Sequence, residues 1–179
     1  RLVTGFLHLA RLETDHGRVR HATFDFSALA REVVEFTTVI CKDAGIELKA
    51  SIEEGVMFLG RRELIGEVLT NLLSNAVKYT RDSPTRLVTL SLRTTAEHLE
   101  IAVSDTGMGV ALEDLPNLFK RFYRGRTQGG VTKGTGLGLA ICKRIVKQHA
   151  GTLAVESAGV GKGATFKIRL PLERVTKKV

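Results

Sequence analysis

The chain has 179 residues, 43% of them hydrophobic and 26% charged, which suits one folded domain with a sizeable core. No apolar run approaches the roughly 20 residues of a membrane span, and no signal peptide is visible. The net charge is +8, but the basic residues are scattered and two tyrosines with no tryptophan leave little for base stacking, so no nucleic-acid partner is expected.

Arg1 opens the chain inside an amphipathic pattern, so a piece of a longer protein is expected. In "RLVTGFLHLARLETD", Leu2, Val3, Phe6, Leu7, Leu9 and Ala10 form one helical stripe, predicting a helix that ends at Asp15 and Gly17. Periodicity leaves open whether it packs on a partner helix or on this chain's own core. "TFDFS" predicts a short strand, with Ser27 as N-cap of a helix from Ala28 to about Ala44 that Gly45 stops. "IELKASI" alternates as a strand does. A long helix from about Arg61 to Tyr79 follows, then a loop from Arg81 to Pro84. "LVTLSLRTTAEHLEIAVSD" predicts two strands with a turn near Ala96 and Glu97. From Gly107 to Gly138 glycines become frequent. One or two short helices are expected around Glu113 to Phe122, followed by a mobile loop. "LGLAICKRIVKQHAG" predicts a helix closed by Gly151, "TLAVESAGVGKGATFKIRLPL" a hairpin with a glycine-rich turn, and "RVTKKV" a frayed basic tail. The order predicts an α+β fold, its sheet covered on one face by about three helices. Cys41 and Cys142 are far apart and lack metal-site spacing, which suggests a reducing, cytoplasmic compartment.

The stretch "VSDTGMGV" contains Asp-Thr-Gly. An aspartic protease needs two carboxylates sharing a proton. This chain has one such triplet, and an all-β protease scaffold has no place for the Arg61 to Tyr79 helix. Taken alone, Asp105 reads as a strand-end residue making an Asx-type turn. In "TNLLSNAVKYT", Asn71, Asn75 and Lys78 share a helix face beside the apolar stripe of Ile65, Leu69, Leu72 and Ala76. Amide oxygens suit Mg²⁺ that shares phosphate oxygens, and Lys78 adds positive charge. A polar helix margin is the plainer reading. In "KGTGLGLAICKRIV", Gly134, Gly136 and Gly138 precede a helix N-terminus, a ready anion site. The stretch is not a P-loop, since Thr135 follows Gly134, and no strand leads into it as a dinucleotide fingerprint requires. Gly161 and Gly163 in "GVGKGATF" fit a tight hairpin turn.

Together, and in this order, these motifs resemble the ATP-binding catalytic domain of sensor histidine kinases of two-component systems, within the gyrase-like (GHKL) ATPase superfamily. "NLLSNAVKYT" looks like the N box, "DTGMG" the first glycine box, "LFKRFYR" the F box, "GTGLGLAI" the second glycine box and "GKGATF" the third. The resemblance spans about Phe24 to Leu172. It implies a two-layer α/β sandwich of the Bergerat type with an N-terminal helical tail. It divides the chain into residues 1–22, the end of a dimerisation-domain helix and a linker; 23–173, the ATP-binding domain; and 174–179, a tail. ATP and Mg²⁺ are the implied ligands. Asn75 would hold Mg²⁺ with Asn71 beside it, Lys78 would contact phosphate, and Tyr79 would lie against the nucleoside. Asp105 would accept a hydrogen bond from the adenine amino group, with Gly107 and Gly109 giving the purine room. Gly134, Thr135, Gly136, Leu137 and Gly138 would border the phosphates. Phe119 and Phe122 would anchor a lid over roughly Arg124 to Lys133, with Arg124 a candidate phosphate contact.

"FLHLARLETD" looks like the end of a dimerisation helix, yet none of His8, His16, His21, His98 and His149 has the sequence context of a phosphoacceptor. All five read as surface or helix-end histidines. The implied function is transfer of the ATP γ-phosphate to a histidine on the protein's own dimerisation domain, with a response regulator as the further partner. No membrane contact by this segment is expected. Two alternatives stay open: an anti-sigma serine kinase of the same superfamily, and a nucleotide sensor that binds without transferring.

Overall fold

The computed structural model describes residues 21–125 and 135–172. The expected amphipathic N-terminal helix, the basic tail, Gly134 and most of the glycine-rich loop lie outside that range.

Strand β1 (Ala22–Asp25) leads directly into helix α1 (Phe26–Asp43). The cap differs from expectation. Asp25, as good an N-cap as serine, accepts the Ala28 amide at 2.8 Å. Ser27 is fully buried inside the helix start. Its hydroxyl donates to the Glu53 carbonyl at 2.6 Å and accepts the Val56 amide at 3.0 Å, tying α1 to the turn after β2 (Glu47–Ile52). That turn leads to β3 (Met57–Gly60), a four-residue strand too short to read by alternation. It pairs antiparallel with β1, with Phe24 opposite Phe58.

The main sheet has five strands in the order β2-β4-β5-β7-β6, with β4 at Leu87–Thr94, β5 at His98–Asp105, β6 at Thr152–Glu156 and β7 at Ala164–Pro171. Only β2–β4 is parallel. Alternation sets its two faces. Leu92, Ile101 and Ile168 lie opposite one another across β4, β5 and β7 and are buried, as are Leu90, Val103 and Phe166. The other face is polar. Glu100 there bridges Arg93 at 2.7 Å and Arg169 at 2.9 Å, solvated pairs that contribute little stability.

The buried face carries α1, α2 (Arg62–Thr80) and α3 (Gly138–Gln148), with α2 packed between the other two. Ile65, Leu69, Leu72 and Ala76 are buried as their spacing requires. Truncating Leu72 to alanine would cost about 2–5 kcal/mol. The helix expected over 113–122 is reduced to a 3₁₀ turn, Leu115–Asn117, with a proline at its start. Proline removes an amide donor there. Gly151 does not supply the left-handed residue after α3: Ala150 adopts φ 55°. Gly151 instead lies against β7, where an added Cβ would stand 2.5 Å from the Arg169 carbonyl.

Candidate functional site

Asp105 ends β5, the central strand, opposite Val88 and Ala164. Its Oδ1 accepts the Gly107 amide at 2.8 Å, the Asx turn expected from the sequence. Burial raises its pKa above the usual carboxylate value, opposed by hydrogen bonds from the Gly107 and Ala164 backbone. No cation pairs with it among the described residues. A carboxylate with about four acceptor directions thus stays half-buried with capacity to receive an N–H donor.

The loop after Asp105 is fixed by other parts of the chain. Thr106 donates through Oγ1 to the Thr85 carbonyl at 2.6 Å, and Leu87 returns an amide to that oxygen at 3.0 Å. Met108 donates to the Tyr79 carbonyl at 3.1 Å, joining the loop to the end of α2. The connection between β6 and β7 is not the tight turn expected. It is a seven-residue loop, 157–163, that docks on residues 107–110. Gly161 donates to the Met108 carbonyl at 2.6 Å and Gly163 to the Gly107 carbonyl at 3.1 Å. Ser157 joins the loops by accepting the Val110 amide at 3.1 Å and donating to the Gly163 carbonyl at 2.6 Å. A Cβ on Gly107 would stand 2.6 Å from the Tyr79 carbonyl oxygen. On Gly109 or Gly163, both at φ near +67°, it would collide with the carbonyl of Gly159 or Asp105. The space these glycines leave is therefore filled by the protein's own backbone.

Along α2, Asn71 and Asn75 are half-buried and Lys78 is exposed on the shared face. Neither asparagine side chain makes a hydrogen bond among the described residues. Gly138 begins α3 beside Asn71: a Cβ there would stand 3.2 Å from Asn71 Oδ1. The polar margin of α2 and the N-terminus of α3 thus meet. Lys78 Nζ lies 4.8 Å above the Tyr79 ring and 3.5 Å from its hydroxyl. Thr135 Oγ1 accepts the Leu137 amide at 3.3 Å, while the Leu137 side chain is buried in the core, so only its backbone can face a ligand. Gly136 packs on Phe122, whose amide donates to the Gly136 carbonyl at 2.9 Å. Phe119 meets Phe166 edge-on at 6.5 Å and lies 4.9 Å below Lys143 Nζ. Arg124 is exposed.

Three structural residues carry no clear sequence signal. Asp114 is buried and accepts the Tyr123 hydroxyl at 2.6 Å. Ser157, inside "ESAG", reads as ordinary turn composition. His149 is at a helix end as expected, but it is buried, 5% exposed. Its Nδ1 donates to the Ile145 carbonyl at 2.8 Å, and Nε2 accepts the Arg61 amide at 3.0 Å. Those partners require the neutral ring. They link the end of α3 to the start of α2.

The donor set suits a phosphate-bound cation. Among the described residues no group of three His, Cys, Asp or Glu side chains could hold a metal. An ion here would draw on the amide oxygens of Asn71 and Asn75 and on ligand oxygens, the mixed hard-donor shell of Mg²⁺.

The sequence profile described as histidine kinase-, DNA gyrase B- and HSP90-like ATPase matches residues 60–174. The sensor-like histidine kinase SenX3 of Mycobacterium tuberculosis is 34% identical over 171 residues, 95% of this chain and 41% of that protein. The sensor histidine kinase RppB of a Synechocystis species is 34% identical over 96% of this chain and 37% of that protein. The chain thus spans about two fifths of the length of these curated relatives. Full-length ShkA in complex with AMPPNP superposes with a TM-score of 0.82 at 29% identity, covering 97% of this chain and 36% of that one. The mycobacterial sensor histidine kinase MprB gives 0.74 at 27%, covering 86% of this chain and all of that one.

Proposed function

This chain belongs to the histidine kinase-, DNA gyrase B- and HSP90-like ATPase family, and from that premise we propose that it binds Mg·ATP and presents the γ-phosphate to a histidine on a separate dimerisation domain. It would serve as the catalytic segment of a cytoplasmic two-component kinase that passes the phosphoryl group to a response regulator. The observation that carries this reading is that the chain has both an unbridged, half-buried Asp105 and, on α2, the unbonded side-chain amides of Asn71 and Asn75, with Asn71 beside the start of α3.

Asp105 accepts the exocyclic amino group of adenine, and the backbone around Gly107 holds the carboxylate in place. Tyr79 borders the nucleoside. The N-terminus of α3, from Thr135 to Gly138, faces the phosphates with its partial positive charge, and Lys78 and Arg124 add full charge nearby. Mg²⁺ at Asn75 and Asn71 would neutralise phosphate charge. Catalysis then rests on positioning and electrostatic stabilisation rather than on a base of this chain. No helix among the described residues is long and apolar enough to cross a bilayer.

No histidine of this chain is proposed as the acceptor. His149 is buried, and His21 stacks on it with ring centroids 5.2 Å apart. Incubated alone with radiolabelled ATP, the chain is expected to bind nucleotide and to form no acid-labile phosphohistidine. Adding the dimerisation domain of the parent protein should place label on that domain, slowly because the tether is lost. Strong label on the chain alone, or label on a serine of an added regulator, would overturn the proposal.

A further inference from the structure

Strand β2 is one of the two edge strands of the main sheet and, among the described residues, pairs only with β4. Glu47 and Glu53 donate their amides to the carbonyls of Arg86 and Leu92. Given the two-residue period of a strand, the N–H and C=O groups of Leu48, Ala50 and Ile52 point to the free edge. Sheet edges are commonly blunted by outward lysines, but Lys49 is engaged on its own strand, 3.1 Å from Glu47. Beside this edge, between β2 and α1, runs a groove of about 340 Å³ lined by Arg31, Val34, Glu35, Ala50, Ile52 and Glu54. Its apolar floor comes from the same Ala50 and Ile52 whose backbone groups are free. One turn beyond Glu35, Val39 is 63% exposed and extends the apolar surface along α1.

The groove differs in charge from the rest of the molecule. Arg31 is paired with Glu54, and Glu35 makes no ion pair among the described residues. Its lining therefore carries one net negative charge in a chain of net charge +8.

We propose that this groove takes an extended segment of another protein as an added strand on β2. The segment carries apolar and basic residues at successive positions of the one face it turns to the groove and is about as long as β2, six residues. Backbone pairing with Leu48, Ala50 and Ile52 gives the affinity. An apolar side chain over Val34 and Ile52, beside a lysine or arginine at Glu35, gives the selectivity. The site lies on α1 and β2, on neither the Asp105 loop nor the α2–α3 junction, so it serves docking and not nucleotide binding.

The test is a titration of the ¹⁵N-labelled chain with a blocked peptide of about eight residues, enough to span β2, whose groove-facing positions alternate valine and lysine with threonine between them. Saturable shifts are expected at residues 48–54 and 31–39. Replacing the lysines by glutamates should weaken binding about tenfold or more. Ala50→Pro removes an edge-facing amide that β4 does not use and should weaken the lysine peptide by about tenfold as well. Glu35→Lys should invert the preference, and it decides alone if the proline variant does not fold. Absence of saturation, shifts spread over the open sheet face around Glu100, or unchanged affinity in both variants would overturn the proposal. So would self-association through β2 in sedimentation, which would make the occupant a second copy of the chain.

Discussion

At the β5 end of the site, Asp105, Gly107 and Gly109 are held by backbone bonds to α2, to β4 and to the loop 157–163. At the helix end, Asn71 and Asn75 project from α2 with no protein hydrogen bond among the described residues. The first region is shaped by main chain that leaves no room for side chains. The second is shaped by side chains left without a hydrogen-bond partner among the described residues. The contrast teaches that glycines and asparagines of one site can answer to different demands. Glycines at the β5 end serve folding first, while the asparagines at the helix end are the ones proposed to serve chemistry. Substitutions can separate the two.

The largest effect is expected at Gly163→Ala. The new methyl would strike the Asp105 carbonyl in a left-handed backbone, a combination of clash and strain that should cost about 3 kcal/mol or more. Urea unfolding reads this directly, and a loss under about 1 kcal/mol would show that the two loops can separate cheaply. A smaller loss should follow Thr106→Val, which keeps the volume but removes the hydroxyl shared with Thr85 and Leu87. About 1–2 kcal/mol is expected, with the same method.

Asn75→Ala sharpens the other side of the contrast. Stability should stay within about 0.5 kcal/mol, the range for a substitution away from core and caps. The Mg²⁺-dependent increment in ATP affinity should vanish. Titrations with and without Mg²⁺ would show it, and a surviving increment would place the ion elsewhere.

The smallest effect is a pH dependence away from both ends. Burial lowers the His149 pKa, the Ile145 carbonyl opposes that shift, and the charges of His21 and Arg61 add to it. The folded chain therefore binds fewer protons than the unfolded one. Stability is fully present above the ordinary imidazole value of 6.5 and falls as pH drops below it. Urea midpoints at about pH 7.5 and about pH 5.5 should differ in that direction. The difference should shrink in His149→Gln, and a flat profile in the unsubstituted chain would show that folding does not shift the His149 pKa.

Long periodic segments were legible in the sequence: α1, α2, α3 and the strands β2, β4, β5, β6 and β7 follow from apolar spacing. Strand β3 was not, because four residues cannot establish a period. The seven-residue loop 157–163 read as a plain turn, since its anchor on Met108 and Gly107 lies about fifty residues away. His149 read as an ordinary helix-end histidine because its burial depends on Arg61, 88 residues distant. The shared face of Asn71, Asn75 and Lys78 is local and follows from helix geometry. Its meeting with Gly138 is tertiary, and only the order of motifs hinted at it.

The most direct measurement is calorimetry of ADP binding to the unsubstituted chain and to Asp105→Asn, each with its urea unfolding curve. Asparagine keeps an oxygen for the Gly107 amide, so the fold should hold while the charged acceptor is lost. Binding should weaken by about 1–3 kcal/mol, the scale of a hydrogen bond to a charged group, with little change in stability. Equal ADP affinity in the two proteins would contradict it and remove Asp105 from the base.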